Sequence, residues 1–365
     1  MRLFSVIFTT IFAISGIADV RSQTAAPSPE RTASDAVKCW SYADADVYFR
    51  SLAAGTRAAY IATDKGSLIA IDALSGSRLW KAEFGGDAVS NVAAGTANAA
   101  IVTRPVGEAG DTGRATLRVL SKETGILLWK AEVEGSGPFY LIEAQNVIVA
   151  AATTGEVLAF DAGTGDLKWK LAFAGGLTTT PRSDESLIVV ATGDKRVVGV
   201  TLMGGESRMS FELNRVAKSL LFENDSVFVG DARGEILRFE AGDGGDAKWR
   251  YRAGAQIGSI ADIDDTLLAA SFDNFLYSVD RSSGHVNWKL RLPSRVLATA
   301  ALNEDRLLVL AGDQKTAAIV LSKNGRVDSQ LALDDGPIAA ASAGGRTFVL
   351  SPVSLTAYGI GSCPK

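Results

Sequence analysis

The residue types that most often carry catalysis are sparse in this chain. Its one histidine, His285, follows Ser-Gly in a predicted turn, where we expect it to be exposed to solvent. A lone histidine builds neither a multi-histidine zinc site nor the usual catalytic triad. The two cysteines, Cys39 and Cys363, are not adjacent and have no metal-ligand spacing. We therefore predict no catalytic, cofactor-binding or metal-binding residue.

Two acidic clusters are the other candidates for a chemical site. Asp262, Asp264 and Asp265 lie in ADIDDT, and Asp334–Asp335 forms a second group. Carboxylates bind calcium, but a calcium loop needs more ligands and a fixed glycine, so solvated turns are favoured. The Gly-rich stretch 242–245 does not join a strand to a helix, as a phosphate-binding loop does. We interpret it as a turn with one extra residue.

The tryptophans indicate the elements that must position any such residue. Their spacings are 40, 49, 40, 80 and 39 residues, and the midpoint of the long gap holds another large apolar residue, Met209. A fixed period near 40 residues indicates one supersecondary unit copied along the chain. We expect these side chains to pack between neighbouring copies rather than to form a platform for sugars or bases. The packing residues are Trp40, Trp80, Trp129, Trp169, Met209, Trp249 and Trp288.

The sequence around each tryptophan predicts a hairpin. IDALSGSRLWK, FDAGTGDLKWK and VDRSSGHVNWK each place an apolar strand before an Asp-to-Gly turn and a Trp-Lys strand after it. Two more short apolar strands precede each hairpin, and no stretch outside the N-terminus has a helical period. Four strands in about 40 residues are typical of a propeller blade. The predicted fold is an all-β, eight-bladed propeller over residues 38–365.

The ends of the chain predict how the ring closes. Seven blades are complete, whereas the last has three strands and Trp40 belongs to an orphan fourth strand. We expect the N-terminal strand to complete the last blade and so remove an open edge. Cys39 and Cys363 both fall at this seam, although they are 324 positions apart, which predicts a disulfide.

The N-terminus predicts export. Arg2 is followed by the uncharged run Leu3–Ala18, which reads as a signal peptide cleaved near Ala18; an uncleaved anchor is the alternative. Residues 19–37 are predicted to be a flexible leader. A lipoprotein is not indicated, because no cysteine lies near the predicted cleavage point. The net charge of −4 and the lack of a basic stripe argue against nucleic-acid binding. No other segment could span a membrane.

The repeats resemble those of the pyrroloquinoline-quinone-type propeller family over essentially all of residues 38–365. In overall plan, and in the stretch VVATGDKRVVGVTLMGGE, the chain is similar to the family's outer-membrane assembly subunits. The resemblance implies an exported, monomeric, non-catalytic scaffold with protein partners in an envelope assembly complex. Those subunits are usually lipoproteins. The family's dehydrogenases carry adjacent cysteines over a quinone and acidic and amide ligands for calcium, and the adjacent cysteines are absent from this sequence.

A partner is predicted to bind the face that carries the hairpins between second and third strands. We expect polar contacts there rather than a deep apolar pocket. The candidate residues are Arg104, Arg114, Lys195, Arg233, Asp273, Arg295 and Lys315. The segment 104–114 makes the second unit nine residues too long, and it is either a partner-contacting finger or simple drift in loop length.

Three functions remain open at this stage. The leading hypothesis is a periplasmic or outer-membrane-associated scaffold without cofactors. A quinone- and calcium-dependent oxidoreductase is the second, and a secreted binder of carbohydrate or peptide is the third. The fold alone does not separate them, since propeller blades serve enzymes and scaffolds alike.

Overall fold

A computed structural model describes residues 36–106, 114–242, 245–263, 266–312 and 315–364. Across these ranges the secondary structure is all β, with 33 strands. None of the described residues forms a helix long and apolar enough to cross a membrane. The predicted signal peptide, residues 19–35 of the predicted leader and residues 107–113 of the long loop lie outside this part of the chain, so the expectations for them stand as predictions.

Seven blades follow one another along the chain. Blade 1 contains β2 (Phe49–Ala54), β3 (Ala58–Thr63), β4 (Ser67–Asp72) and β5 (Arg78–Glu83); blade 2 contains β6 (Asp87–Ala88), β7 (Ala93–Ala94), β8 (Asn98–Arg104), β9 (Ala115–Ser121) and β10 (Leu127–Val133); blade 3 contains β11 (Phe139–Ala144), β12 (Val147–Ala152), β13 (Glu156–Asp161) and β14 (Leu167–Ala172); blade 4 contains β15 (Arg182–Ser183), β16 (Leu187–Ala191), β17 (Arg196–Thr201) and β18 (Ser207–Glu212). Blade 5 contains β19 (Ala217–Glu223), β20 (Ser226–Asp231), β21 (Glu235–Glu240) and β22 (Trp249–Arg252); blade 6 contains β23 (Ile257–Ile263), β24 (Thr266–Ser271), β25 (Phe275–Asp280) and β26 (Val286–Arg291); blade 7 contains β27 (Val296–Ala301), β28 (Arg306–Ala311), β29 (Thr316–Leu321) and β30 (Val327–Ala332).

The eighth blade joins the two ends of the chain, as the sequence predicts. It contains β31 (Ala339–Ala343), β32 (Arg346–Leu350), β33 (Leu355–Ile360) and β1 (Ala36–Tyr42). The pairing of β1 begins two residues before the predicted boundary at 38, because Ala36 and Val37 already face Ile360 and Gly359. Cys39 and Cys363 form a disulfide beside this pairing. The ring is therefore closed by backbone pairing and by a covalent bond.

The turns between third and fourth strands follow the predicted chemistry. In blade 1, Oδ1 of Asp72 accepts hydrogen bonds from the N–H groups of Leu74 and Ser75, at 3.1 and 2.7 Å. Gly76 then takes a φ of 73°, a conformation that costs glycine little. In every blade except blade 5 the register shifts at the residue before the tryptophan position, which forms a β-bulge.

Each tryptophan joins its own blade to the next one. The ring of Trp249 lies against Gly284 in the turn of blade 6, and its Nε1–H donates to the carbonyl of Arg281 in that turn at 3.0 Å. The other five bonds repeat this contact with nearly the same length, 2.8–3.1 Å: Trp40 to Ala73, Trp80 to Lys122, Trp129 to Ala162, Trp169 to Leu202 and Trp288 to Ser322. The indole thus satisfies a backbone carbonyl of the next blade while it fills the interface.

Two of the eight junctions lack a tryptophan. Between blades 4 and 5, Met209 occupies the position and Phe211 stacks on Phe239 with ring centroids 4.3 Å apart. Between blades 7 and 8 the position holds Ser329, and Lys38 forms an ion pair with Asp334 across the junction at 2.5 Å. These junctions rely on aliphatic and aromatic packing without the indole bond.

The hydrophobic core is divided among the blade junctions. Each of the eight clusters of buried apolar residues contains residues from two adjacent blades, so every sheet has both faces covered. The second strands, such as β3 and β12, are accordingly buried along their whole length. This explains why they read as continuous apolar runs rather than as alternating patterns.

The contact between turn glycine and tryptophan should be measurable. A Cβ at Gly284 would lie 2.6 Å from ring atoms of Trp249, whereas a Cβ at Gly85 would meet nothing within 4 Å, although both residues have φ near 70°. We expect Gly284→Ala to lower the free energy of unfolding by at least about 1 kcal/mol more than Gly85→Ala does. Urea unfolding of both variants measures this difference, and equal losses would show that only backbone strain matters.

The disulfide should stabilise the closed ring chiefly by restricting the unfolded chain. The loop-entropy model gives an upper limit of about 5–6 kcal/mol for a loop of this length. We expect Cys39→Ser, Cys363→Ser and the double variant to lower Tm equally, since each removes the same bond. A further loss in the double variant would mean that the cysteines also contribute through packing.

Candidate partner-binding face

One face of the ring, here called the upper face, carries the hairpins between second and third strands and the connections between blades. Main-chain hydrogen bonds of 2.7–3.3 Å tie hairpin to connection in six blades: Phe84 to Gly66, Phe173 to Gly155, Leu213 to Lys195, Ala253 to Gly234, Leu292 to Asn274 and Leu333 to Lys315. In blade 8 the hairpin carbonyl of Pro352 accepts instead from the N–H of Phe49, the first residue of β2, at 2.7 Å. These bonds fix the backbone of the upper face, so the side chains on it start from fixed positions.

All seven predicted partner-face residues belong to the upper face, but they differ in accessibility. Five have exposed side chains: Arg114, Lys195, Arg233, Arg295 and Lys315. Arg104 is half-buried and donates from Nη2 to the carbonyl of Gly137 at 3.3 Å, so it links blade 2 to the next connection. Asp273 is also half-buried. For Arg104 and Asp273 the structure therefore shows a structural role that the sequence did not reveal.

Asp273 organises the upper end of blade 6. Its Oδ2 accepts from the N–H of Gly254 at 3.0 Å and from the hydroxyl of Tyr277 at 2.9 Å, while Oδ1 accepts from the N–H of Phe275. Burial, and then the Asp273 carboxylate, raise the pKa of Tyr277 well above its usual value. The carboxylate thus fixes a connection, its own hairpin and a tyrosine.

Charged side chains cluster beside it on blade 5. Arg215 lies 3.8 Å from the buried carboxylate of Asp231 and 3.5 Å from Glu235, and Arg252 is 3.5 Å from Glu235. The exposed Arg233 stands on the same hairpin. Three arginines accompany two carboxylates, which gives this sector of the upper face a positive balance.

An apolar sector begins on blade 6. The ring of Phe272 is 38% exposed, and the guanidinium carbon of Arg295 lies over it, 4.2 Å from the centroid. Gly258 makes room for this ring, because a Cβ there would come within 2.5 Å of it. Aromatic rings and arginines are the residues most often found to dominate binding energy at protein interfaces.

The apolar sector continues over blades 7, 8 and 1. Leu297, Ile338, Val353 and Tyr48 are exposed by 47, 41, 42 and 57%, respectively. Together with Phe272 they form an apolar arc on the upper face. The sequence predicted only polar contacts here. A signal existed in the repeats, since Phe272 stands at a hairpin position that holds Asp, Thr, Gly, Ala and Gly in blades 1, 3, 4, 5 and 7.

The innermost strands add basic side chains. Arg50, Lys218 and Leu297 occupy β-bulges at the second position of their strands, and all three are exposed. Arg182, on the inner strand of blade 4, donates from Nε to the carbonyl of Leu220 at 3.0 Å. Partial burial lowers its pKa. These residues were also missed, because a bulge that redirects a side chain leaves no clear mark in a short apolar strand.

The side chains considered as metal ligands do not come together in the described residues. Within the described residues, no group of three or more His, Cys, Asp and Glu side chains has that geometry. Asp262 pairs with Arg281 at 2.9 Å, and Asp335 accepts from the hydroxyl of Ser354. Asp264 and Asp265 lie outside the described residues. His285 is exposed, as predicted.

Eight antiparallel blades of four strands, with the inner strand of blade 2 divided into β6 and β7, and recurrent Asp-to-Gly turns define the class of protein: this is a pyrroloquinoline-quinone-like β-propeller. The chain belongs to the family described as outer membrane protein assembly factor BamB, whose family model matches residues 40–137, 113–251 and 257–358. The family resemblance seen in the repeats is therefore confirmed.

Two curated relatives carry the same description. BamB of Nitrosomonas eutropha is 24% identical over 127 residues, which cover 33% of this chain and 31% of that protein. BamB of Shewanella oneidensis is 24% identical over 201 residues, which cover half of each. The chain thus matches between about a third and a half of the length of these relatives.

Solved structures support the fold. The crystal structure of BamB from Moraxella catarrhalis matches with a TM-score of 0.71 at 16% identity, over 89% of this chain and 97% of that one. The computationally designed protein Ika8 matches with a TM-score of 0.74, also at 16% identity, over 88% and 99%. Because a designed propeller fits as well as a natural one, these matches bear on architecture alone.

Replacing the Asp273 carboxylate should loosen the upper face locally. Asp273→Asn keeps the shape but weakens three hydrogen bonds, so we expect a loss of about 1–3 kcal/mol in unfolding free energy. It should also lower the pKa of Tyr277, which absorbance titration of tyrosinate detects. Asp194→Asn, on the equivalent hairpin of blade 4, is the control and should leave the tyrosine titration unchanged.

Proposed function

We propose that this protein is a non-catalytic scaffold of the bacterial envelope that binds partner proteins through its upper face. The apolar arc with Arg295 stacked on Phe272 is the observation that carries the proposal. Large apolar side chains held open on a rigid face are typical of protein interfaces. The matched family adds the biological setting, outer-membrane protein assembly.

The chemistry of the upper face suggests the form of the partner. The apolar arc would bury an apolar segment, while Arg50, Lys218 and Arg182 on the inner strands favour acidic flanks. A loop or an extended segment that lies across several blades fits this division better than a small ligand in a closed pocket. The proposed partners are proteins of an envelope assembly complex, with one propeller per complex.

The same proposal includes location. The signal peptide would direct export and be removed near Ala18, leaving the propeller in the periplasm or at the outer membrane. The Cys39–Cys363 disulfide suits that oxidising compartment.

A site-specific experiment tests the proposal in the host cell. A photo-crosslinking residue is placed at Phe272 or Leu297, and as a control at Asn287 on the opposite side of blade 6. We expect crosslinks to outer-membrane assembly proteins from the first two positions only. Phe272→Ala with Leu297→Ala should lower recovery of the complex roughly tenfold or more, whereas Asn287→Ala should not.

Binding of pyrroloquinoline quinone with calcium, measured by titration calorimetry, separates the scaffold from the oxidoreductase alternative. Stoichiometric tight binding of the quinone would overturn the non-catalytic proposal. Crosslinking from the control position alone would instead overturn the assignment of the upper face.

A further inference from the structure

A second exposed apolar surface lies on the opposite side of the ring, where third and fourth strands are joined. We call it the lower rim and define it by seven side chains on blades 1 to 4. They are Leu74, Leu79, Ile126, Leu127, Leu128, Leu167 and Met203, with exposures of 41–65%. They make up half of the large apolar side chains that are exposed in the described residues.

The repeats provide an internal control for this surface. In blade 2 the residues after the turn glycine are Ile126, Leu127 and Leu128; in blade 6 the residues at the first and third of these positions are His285 and Asn287. Both turns have the same glycine conformation, with φ of 70° and 73°, and both rest on a tryptophan of the preceding blade. Folding of the hairpin therefore does not require apolar side chains at these positions.

Blade 7, like blade 6, has polar side chains where blades 1 and 2 have apolar ones. Its turn carries Lys323, Arg326 and Asp328 at positions where blades 1 and 2 carry Leu74, Ile126, Leu79 and Leu128. An exposed leucine at one or two sites is ordinary, but a contiguous apolar set confined to neighbouring blades marks an interaction surface.

The lower rim is continuous because the tryptophan contacts connect it. Leu79 precedes Trp80, whose ring lies against Gly125, and Ile126 follows that glycine. The same step leads from Leu128 through Trp129 and Gly165 towards Leu167. The turns of blades 2 and 3 therefore stand beside the apolar bulge residues Leu79 and Leu128 of the blades before them, whereas the bulge residue before the turn of blade 4 is Lys168.

The charges in the turns of the lower rim nearly cancel. The basic residues are Arg78, Lys122, Lys168 and Arg208, and the acidic residues are Asp72, Glu123, Asp161, Asp166 and Glu206. Lys168 pairs with Asp161 at 3.2 Å. The surface therefore offers apolar protrusions with little net charge, which does not favour a strongly charged partner.

The N-terminus enters the fold beside this rim. Ala36 lies at the lower end of blade 8, and Trp40 donates to the carbonyl of Ala73, the neighbour of Leu74. Only residues 19–35 separate Ala36 from the apolar run Leu3–Ala18. A chain of that length spans at most about 60 Å. Until cleavage of the proposed signal peptide, the apolar run would hold the lower rim within that distance of the lipid.

We propose that the lower rim is a lipid-contacting surface whose leucine-bearing turns enter the interfacial layer of a phospholipid bilayer. Separate convex turns with apolar tips suit a deformable bilayer, since a protein partner would need a matching cleft for each turn. Membrane binding of this kind grows with the apolar area inserted. The proposal goes beyond the scaffold function and does not depend on which protein binds the upper face.

Site-specific fluorescence on the full chain tests the proposal. A polarity-sensitive nitrobenzoxadiazole probe is attached to Thr124→Cys, at the turn of blade 2, or to Asn324→Cys, at the equivalent exposed position of blade 7. With vesicles of phosphatidylethanolamine and phosphatidylglycerol, we expect a blue shift and increased emission from position 124 alone. Both variants have the same N-terminus, so lipid binding by the N-terminus cannot cause a difference between the two probe positions.

Two further variants give the size of the effect, and a third serves as the control. Leu79→Ser with Ile126→Ser and Leu128→Ser should lower the vesicle partition coefficient roughly tenfold or more. His285→Ile with Asn287→Leu, which copies the apolar pattern onto blade 6, should raise it. Val353→Ser, on the upper face, should leave it unchanged.

Three outcomes would overturn the proposal. The first is an equal response from both probe positions or none from either. The second is a blue shift at position 124 without vesicles that grows with protein concentration, which would assign the rim to a second copy of the chain. The third is a response that appears only when envelope proteins are added, which would assign it to a protein partner.

Discussion

The bond from each tryptophan to the turn of the next blade is the contact on which the rest of the structure depends. It positions the ring against a glycine that must adopt positive φ, and it satisfies a carbonyl that packing would otherwise leave without a partner. Because the contact always joins two blades, blades are not independent units, and the core is divided among junctions rather than placed at a centre. The propeller is in this sense a ring of pairwise interfaces.

This dependence explains which features could be read from the sequence. Trp40, Trp288 and their counterparts recur with the blade period, so blade number and ring closure followed from spacing alone, and the pairing of Cys39 with Cys363 followed from closure. Asp72 and Gly76 revealed the turns because their roles are local. Exposure of Phe272 and Leu297 could not be predicted in the same way. It depends on a β-bulge and on a glycine of another strand, which are tertiary features.

The two faces of the ring are distinguished by how apolar side chains are held. On the upper face Phe272 is supported by Gly258 and covered in part by Arg295, and hydrogen bonds tie the hairpins to the connections. On the lower rim Ile126 and Leu128 stand on turns whose conformation is shared by blades with polar residues. The first arrangement favours shape-specific recognition and the second a surface without fixed geometry. One propeller thus presents two chemically different sides.

The closure of the eighth blade also sets an order of events during folding. The strand Ala36–Tyr42 is synthesised long before its partner Leu355–Ile360. Until that partner exists, the segment is an unpaired β-edge that carries Trp40 and a cysteine without its disulfide partner. Such an edge invites pairing with other chains. The opening segment is therefore the part of the chain that must be kept from wrong partners for the longest time, until the final blade exists.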